Sequence, residues 1–315
     1  MAELNKIDEA KATLQLAADM SAAYYNAPLI ICYSGGKDSD VLLDLARMAL
    51  KPSEFEVLNS HTTVDAPETV YHIRRVFKKL EQEGIKTEIR MPTYKGKRTS
   101  MWQLIEEKKM PPTRIVRYCC RVLKENTTPN RMIAVGVRED ESVGRKGRDS
   151  FVVPAQRKSE MMTRSLSHLY ATFHTDINIG KDKDQAWHEL NDCEYIKAAK
   201  KQKDTIVNPI YKFTEKDIWD YIKENNIETN PLYKKGYKRV GCIGCPMAGP
   251  KQQRKEFEDY PIYKENYIKA FDRMLARRKK EGKKDDFKTG LDVYRWWLGE
   301  NPKQMRLEDI QEEET

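Results

Sequence analysis

No stretch of the 315-residue chain approaches the roughly twenty consecutive apolar residues of a bilayer span, so none is expected. The opening MAELNKIDEA has no apolar core of the secretory kind, which makes the cytoplasm the expected location. Histidine is scarce. His61, His72, His168, His174 and His188 stand at no metal-ligand spacing, which argues against a histidine-based metal centre. There is no internal repeat and no low-complexity tract, so a solenoid is not expected. Hydrophobic residues are a slightly low 39% and charged residues a high 34%, the balance of a charge-coated protein with one substantial core, or one core plus an appendage. Lysine and arginine number 57 against 49 acidic residues, a net charge of +8 that suits a polyanionic ligand or nucleic acid without selecting either. Six cysteines in a chain of this kind point to metal or redox chemistry ahead of disulfides.

What is present begins with Ser34-Gly35-Gly36-Lys37-Asp38-Ser39. It follows the apolar run Leu29–Tyr33 and precedes an amphipathic stretch from Asp40, which reads as buried strand, glycine turn, helix. A glycine turn lets backbone N–H groups converge, and the helix N-terminus adds partial positive charge, so the segment suits an anion such as phosphate. Lys37 adds a full charge and Ser34 and Ser39 add hydroxyl donors. This is not a Walker loop, which needs a glycine where Ile31 stands, and no Gly-x-Gly-x-x-Gly fingerprint occurs at the turn. Asp38 is a candidate to position Mg²⁺ on the phosphates, with helix-terminus chemistry as the plainer reading.

Elsewhere the pattern alternates. A helix is expected from about Glu3 to Tyr25, then strands at Leu29–Tyr33, Phe55–Leu58, Lys86–Met91 and Arg131–Val137, with helices from Pro67 to Glu83, Met101 to Lys109 and Val116 to Glu125. Such alternation predicts an α/β fold, a doubly wound parallel sheet with helices on both faces and ligands beyond the carboxyl ends of its strands. Arg138 follows the strand end at Gly136 and would reach the same crevice, with Arg145, Lys146 and Arg148 on the adjoining loop. From about 143 to 204 the periodicity breaks up into an expected loop-rich insertion, within residues 1–250. Residues 251–315 read as a mostly helical C-terminal extension whose aromatic positions are expected to form core. Its basic run Arg277–Lys284 and acidic tail Glu308–Glu314 read as solvated surface.

Cys119 and Cys120 are adjacent, and Cys242 and Cys245 form Cys-Ile-Gly-Cys. Four thiolates from two segments suit a tetrahedral sulfur site, for zinc or for an iron–sulfur cluster, and spacing alone does not separate them. Cys32 falls in the buried strand and reads as packing; Cys193 lies in the charged insertion, an incidental thiol or a persulfide carrier.

The Ser-Gly-Gly-Lys-Asp-Ser string resembles the pyrophosphate loop of the ATP pyrophosphatases and adenine nucleotide alpha hydrolases, with their HUP-type sheet. The tandem cysteines followed by Cys-x-x-Cys resemble the cluster-binding pattern of sulfonucleotide reductases. The phrases Gly136–Ser142, Asn208–Ile210, Asp217–Ile222 and Asn230–Tyr233 look like the phosphoadenylyl sulfate (PAPS) reductase family, over roughly residues 25–250. The resemblance implies ATP, or PAPS or adenylyl sulfate (APS), with Mg²⁺ in the Ser34–Ser39 loop, contacts from Asp65, Gly136 and Arg138, catalysis by Lys37, Asp38 and Arg138, and a four-iron four-sulfur cluster on Cys119, Cys120, Cys242 and Cys245, ahead of zinc. It implies an enzyme that adenylates an acceptor and transfers sulfur, as nucleic-acid thiolating members do, with a sulfur-donor protein such as a cysteine desulfurase as partner; a homodimer is a further expectation. Sulfonucleotide reduction, a sulfate adenylyltransferase-like role and a non-catalytic nucleotide- or nucleic-acid-binding module are the alternatives. Two departures separate the chain from the reductases: no cysteine follows Cys245, and the loop keeps both Lys37 and Asp38.

Overall fold

The structure is a computed structural model that describes residues 5–124, 131–141, 151–154, 196–199 and 205–300, the two four-residue segments by backbone alone. The chain packs as two units: Met1–Ser60, Pro67–Arg90 and Thr128–Val240 form one, and His61–Ala66, Met91–Thr127 and Gly241–Thr315 the other. The division is therefore not a single cut near residue 250. Two earlier segments join the C-terminal helices because their apolar residues pack there.

The first unit is built on a seven-stranded sheet. Its strands in chain order are β1 (Leu29–Cys32), β2 (Phe55–Ser60) and β3 (Lys86–Arg90), then β6 (Met132–Ala134), β7 (Phe151–Pro154), β8 (Ile196–Ala199) and β9 (Thr205–Val207). The numbers β4 and β5 belong to a hairpin of the second unit, Thr93–Tyr94 and Lys97–Arg98. The spatial order is β3-β2-β1-β6-β9-β7-β8. The first five run parallel, with Ile31 opposite Val57 on one side and Ala134 on the other. Only β7 opposes its neighbour β9, and β8 runs parallel to β7. Two strands thus lie inside the stretch expected to be loops, which corrects that expectation at 151–154 and 196–199. Cys193, Arg145, Lys146, Arg148 and the acidic tail lie outside the described residues.

Leu29 and Ile31 are buried against the helices in one core cluster, and Ile30 packs with Leu58 and Ile133 on the opposite face. The edge strand β3 is charged and largely exposed, which blunts edge-to-edge pairing. Helices α1 (Lys6–Tyr25), α2 (Lys37–Ala49), α3 (Pro67–Gln82) and α6 (Glu215–Glu224) flank the sheet. Leu14, Leu42, Leu45 and Phe77 are among the side chains that fill its core, each worth about 1.5–3 kcal/mol on full burial. Chain order runs from β1 outward to β2 and β3, then returns to β6 on the other side of β1. That reversal is the switch point of the sheet, the place where open parallel sheets bind their ligands.

The second unit holds α4 (Met101–Lys108), α5 (Tyr118–Leu123), α7 (Pro250–Asp259), α8 (Pro261–Lys280) and α9 (Gly290–Trp297). Its centre is aromatic, as expected. Trp102 meets Tyr267 edge-on at 4.9 Å between ring centres, Tyr267 meets Trp297 at 4.9 Å, and Trp297 Nε1 donates to Pro112 O at 2.6 Å. No described helix is long and apolar enough to cross a membrane.

Candidate active site

The chain leaves β1 at Cys32 and turns through Tyr33–Gly36 into α2. Gly35 has φ +72°, and a Cβ there would sit 2.9 Å from Ile73 Cγ1, so the turn needs glycine. Gly136, leaving β6, passes so close to α2 that a Cβ would lie 3.1 Å from Asp38 O. Ser39 is turned inward: its Oγ donates to Gly36 O at 2.7 Å and lies 3.2 Å from Gly36 N and from Ser34 Oγ. The hydroxyl expected to face phosphate therefore ties the loop to itself.

Two further residues hold the loop from the 3₁₀ turn at Pro231–Tyr233. Asn230 Nδ2 donates to Gly35 O at 3.0 Å, and Tyr233 Oη accepts from Lys37 N at 2.9 Å. Burial raises the Tyr233 phenol above its ordinary range, so it stays neutral and occupies a backbone donor of the helix N-terminus.

Lys37 and Arg138 are 5% and 2% exposed, and buried cations need partners. Lys37 Nζ lies 3.2 Å from Asp38 Oδ2 and 3.4 Å from Glu215 Oε2. Arg138 Nε donates to Asp38 Oδ1 at 2.6 Å, Nη2 to Glu215 Oε2 at 2.8 Å, and Nη1 reaches Asp140 Oδ2 at 3.5 Å. Burial pushes the Glu215 carboxyl upward, but the Lys37 charge and the hydrogen bonds from Trp219 and Arg138 outweigh it and hold it below the ordinary carboxylate range. Two cations and three carboxylates thus close on one another at the mouth of the loop. A polyphosphate entering there would exchange with a carboxylate of the same charge sign.

Beneath the loop, Tyr33 Oη donates to Asp40 Oδ1 at 2.6 Å and lies 3.0 Å from His72 Nε2. Burial raises the Asp40 carboxyl against the hydrogen bonds it receives from His72 and Tyr33. Asp40 Oδ2 and His72 Nδ1 find no hydrogen-bond partner among the described residues.

The four cysteines all belong to the second unit. Cys119 and Cys120 open α5, and Cys242 and Cys245 bracket a turn closed by Cys245 N donating to Cys242 O at 3.2 Å. Gly244 has φ +73°, and a Cβ there would strike Phe257 Cζ at 2.6 Å. Its N–H donates to Glu256 Oε2 at 2.7 Å, and Gln253 Nε2 donates to its carbonyl at 3.0 Å. A hydrogen bond from Cys119, with Arg117 adding its own at 3.4 Å, lowers the Cys120 thiol to about 5. The bond to Cys120 raises Cys119, which also feels the charges of Cys242 and Cys245. Burial pushes Cys242 up to about 11, against the charge of Lys124.

Asp65, expected at the nucleotide, is grouped with these cysteines. Its backbone pairs with Cys242, and its carboxylate accepts from Thr62 N at 2.9 Å with His61 Nδ1 at 3.3 Å. Burial raises this carboxyl, but His61, Lys124 and Thr62 together bring it below its ordinary value. In number and kind the four thiols match a donor set that holds either zinc or an iron–sulfur cluster. Among the described residues no three His, Cys, Asp or Glu side chains are arranged to hold a single metal ion.

The sequence reading missed Glu215, Asn230 and Tyr233 as site residues. Glu215 reads as the first residue of a capped helix, since Thr214 and Asp217 cap each other there. Asn230 and Tyr233 belong to the family-like segment Asn230–Tyr233, but only the fold brings them to the loop. His72, given no role, is fully buried against Tyr33.

A sheet whose first five strands run parallel, with helices packed on it and a Ser-Gly-Gly-Lys-Asp-Ser turn at its switch point, defines an open α/β protein, a class that binds its ligands at that point. The phosphoadenosine phosphosulfate reductase domain matches residues 28–248, and the chain belongs to that family. An uncharacterised protein of Methanocaldococcus jannaschii is 23% identical over 229 residues, 73% of this chain and 44% of its own length. An adenosine 5'-phosphosulfate reductase of Neisseria meningitidis serogroup B is 29% identical over 130 residues, 41% of this chain and 36% of that enzyme. Among solved structures, the U34-tRNA thiolase of Methanococcus maripaludis with its 4Fe-4S cluster is similar at 13% identity and TM-score 0.37, over 87% of this chain and 81% of that one. The chain spans about two fifths of the length of its two archaeal relatives, 44% and 39%.

Proposed function

We propose that the chain binds ATP–Mg²⁺ at the Ser34–Ser39 loop, adenylates an oxygen of an acceptor, and replaces that oxygen with sulfur. The observation that carries this reading is the pair of buried cations, Lys37 and Arg138, gathered with Asp38 and Glu215 at the N-terminus of α2. The acceptor oxygen forms a bond to the α-phosphorus as the bond to pyrophosphate breaks. A donor at the oxidation level of hydrosulfide then forms a bond to the acceptor as AMP leaves with the original oxygen. Little covalent work falls to the protein, so positioning and charge neutralisation by Lys37, Arg138 and the loop amides do most of it. Asp38 would hold Mg²⁺, and Gly136 lets the chain leaving β6 pass tight against the first turn of α2. An iron–sulfur cluster on Cys119, Cys120, Cys242 and Cys245 would supply electron transfer or an iron site for sulfur. Asp65 then serves to hold the Cys242 strand rather than the nucleotide, given its bonds to Thr62 and His61.

A second reading, reduction of APS or PAPS, is favoured by the same cysteine set, which resembles that of the reductases. The test is calorimetric titration of anaerobically purified protein with ATP–Mg²⁺ and, separately, with PAPS, followed by pyrophosphate release. ATP binding with pyrophosphate release and no response to PAPS supports adenylation. Binding of PAPS alone overturns it in favour of reduction.

A further inference from the structure

The segment that carries Cys119 and Cys120 is strongly one-sided in charge. Residues 91–124 contain nine lysines and arginines and two acidic residues, Glu106 and Glu107. One of the two is engaged, since Glu106 lies 3.4 Å from Arg273 Nε. The fold gathers these cations rather than scattering them. The β4–β5 hairpin turns through Lys95 and Gly96, both at positive φ, and presents Lys95, Lys97 and Arg98 to solvent. The hairpin packs on α5, and α5 on α4, so the exposed Arg117 and Arg121 of the α5 region adjoin it. Lys108, at the end of α4, lies over the Tyr94 ring at 4.8 Å, with Lys95 at 5.2 Å. Beyond Lys108 the patch runs on to α8, where Arg278 Nη1 donates to Lys109 O at 3.1 Å and Lys279 and Lys280 are exposed.

A second observation narrows the partner. Beside the exposed Arg114 stands Ile115, 89% exposed, and the Tyr94 ring lies on the same hairpin between its cations. Cations alone would suit any polyanion. Cations beside an exposed isoleucine and a half-buried tyrosine suit a phosphodiester strand whose bases are unstacked and available. Within the adenylation reading, on which this inference rests for its chemistry, the oxygen to be activated must also be reachable, and an unpaired base can be turned out of its stack to present one. Cellular RNA offers such loops.

We propose that the face built from β4–β5, the loop around Ile115 and α5 docks an unpaired RNA segment, placing the acceptor beside the cysteines of the same unit.

The experiment is fluorescence anisotropy of the full-length protein with a labelled RNA stem-loop, a duplex DNA of equal length and the same strands at several salt concentrations. About five neutralised phosphates predict a log–log salt slope near −3.5, hence an affinity loss of about 100-fold between about 50 and 200 mM salt. Lys95→Ala/Lys97→Ala/Arg98→Ala sits on an exposed hairpin and should reduce that slope to about −1.5 and weaken RNA at least tenfold, since each phosphate left without its cation takes away about 0.7 of the slope. Lys78→Ala/Lys79→Ala, on α3 of the other unit, should leave RNA affinity unchanged. Equal RNA affinity of the hairpin variant and the parent overturns the proposal, as does tighter binding of duplex DNA than of the stem-loop. ATP titration of the same variant separates the two readings: unchanged ATP binding with lost RNA supports this surface. Failure of the parent to bind ATP while RNA binding persists defeats the adenylation reading and leaves the surface standing.

Discussion

Glu215→Gln should tighten ATP–Mg²⁺ binding. The Glu215 carboxylate lies 2.8 Å from Arg138 Nη2 and 3.4 Å from Lys37 Nζ, and both cations also hold Asp38. Incoming phosphate must displace it. Its side chain is 52% exposed, so each pair is discounted to the surface range of about 0.2–1 kcal/mol. Together they cost the ligand about 1 kcal/mol, so the variant should bind about five- to tenfold more tightly. The sign with pH follows from the direction of its shift. Glu215 is held below its ordinary pKa, so the anion persists above the unfolded value of ~4.3 and is lost as pH falls through the lower folded one. The gap between variant and parent should therefore be full near neutrality and shrink in acid. Isothermal titration at neutral pH reads the effect directly. Weaker binding by the variant would refute the reasoning, since it would make Glu215 a ligand of the bound metal or nucleotide rather than its competitor.

Lys37→Ala removes a buried charge facing the loop, and a lost charged hydrogen bond of about 1.5–3 kcal/mol predicts ATP affinity lower by tenfold or more in the same titration. Cys242→Ser should abolish the brown absorbance and the acid-labile sulfide of anaerobic protein, whereas a colourless parent carrying zinc would end the iron–sulfur assignment. Gly244→Ala places a Cβ 2.6 Å from Phe257 at φ +73°, so overpacking and left-handed strain together should lower the urea-derived stability by about 2–4 kcal/mol. Glu56→Gln should cost about 2 kcal/mol at pH 7, because the carboxylate holds Lys86 at 2.8 Å and Arg131 at 2.7 Å. Burial raises the Glu56 carboxyl, but these two cations bring it below its ordinary value. Its stabilisation is thus complete above the unfolded pKa of ~4.3 and disappears as pH falls through the folded one, where urea curves of variant and parent should converge.

Local patterns made the framework readable. A buried run followed by a glycine turn and a capped helix has few physical solutions, and β1, the loop and α2 stand where the residues predicted. Alternation of short apolar strands with amphipathic helices likewise entails a parallel sheet, because parallel neighbours need a crossover between them. The strands at 151–154 and 196–199 were not readable, since each is four residues long and joins the sheet by backbone pairing with distant segments.

By itself the sequence determined the glycine turn at Ser34–Ser39, the four cysteines and the parallel strands, because each is written in residues that are neighbours or recur at a fixed period. Only the tertiary structure decided who faces whom. It brought Glu215 to Lys37 across 178 positions of chain and Arg138 to Asp38 across 100, turned Ser39 inward, and paired the Asp65 backbone with Cys242. Those pairings are set by buried cations seeking carboxylates and by buried backbone seeking donors, conditions that exist only once the chain has closed around them.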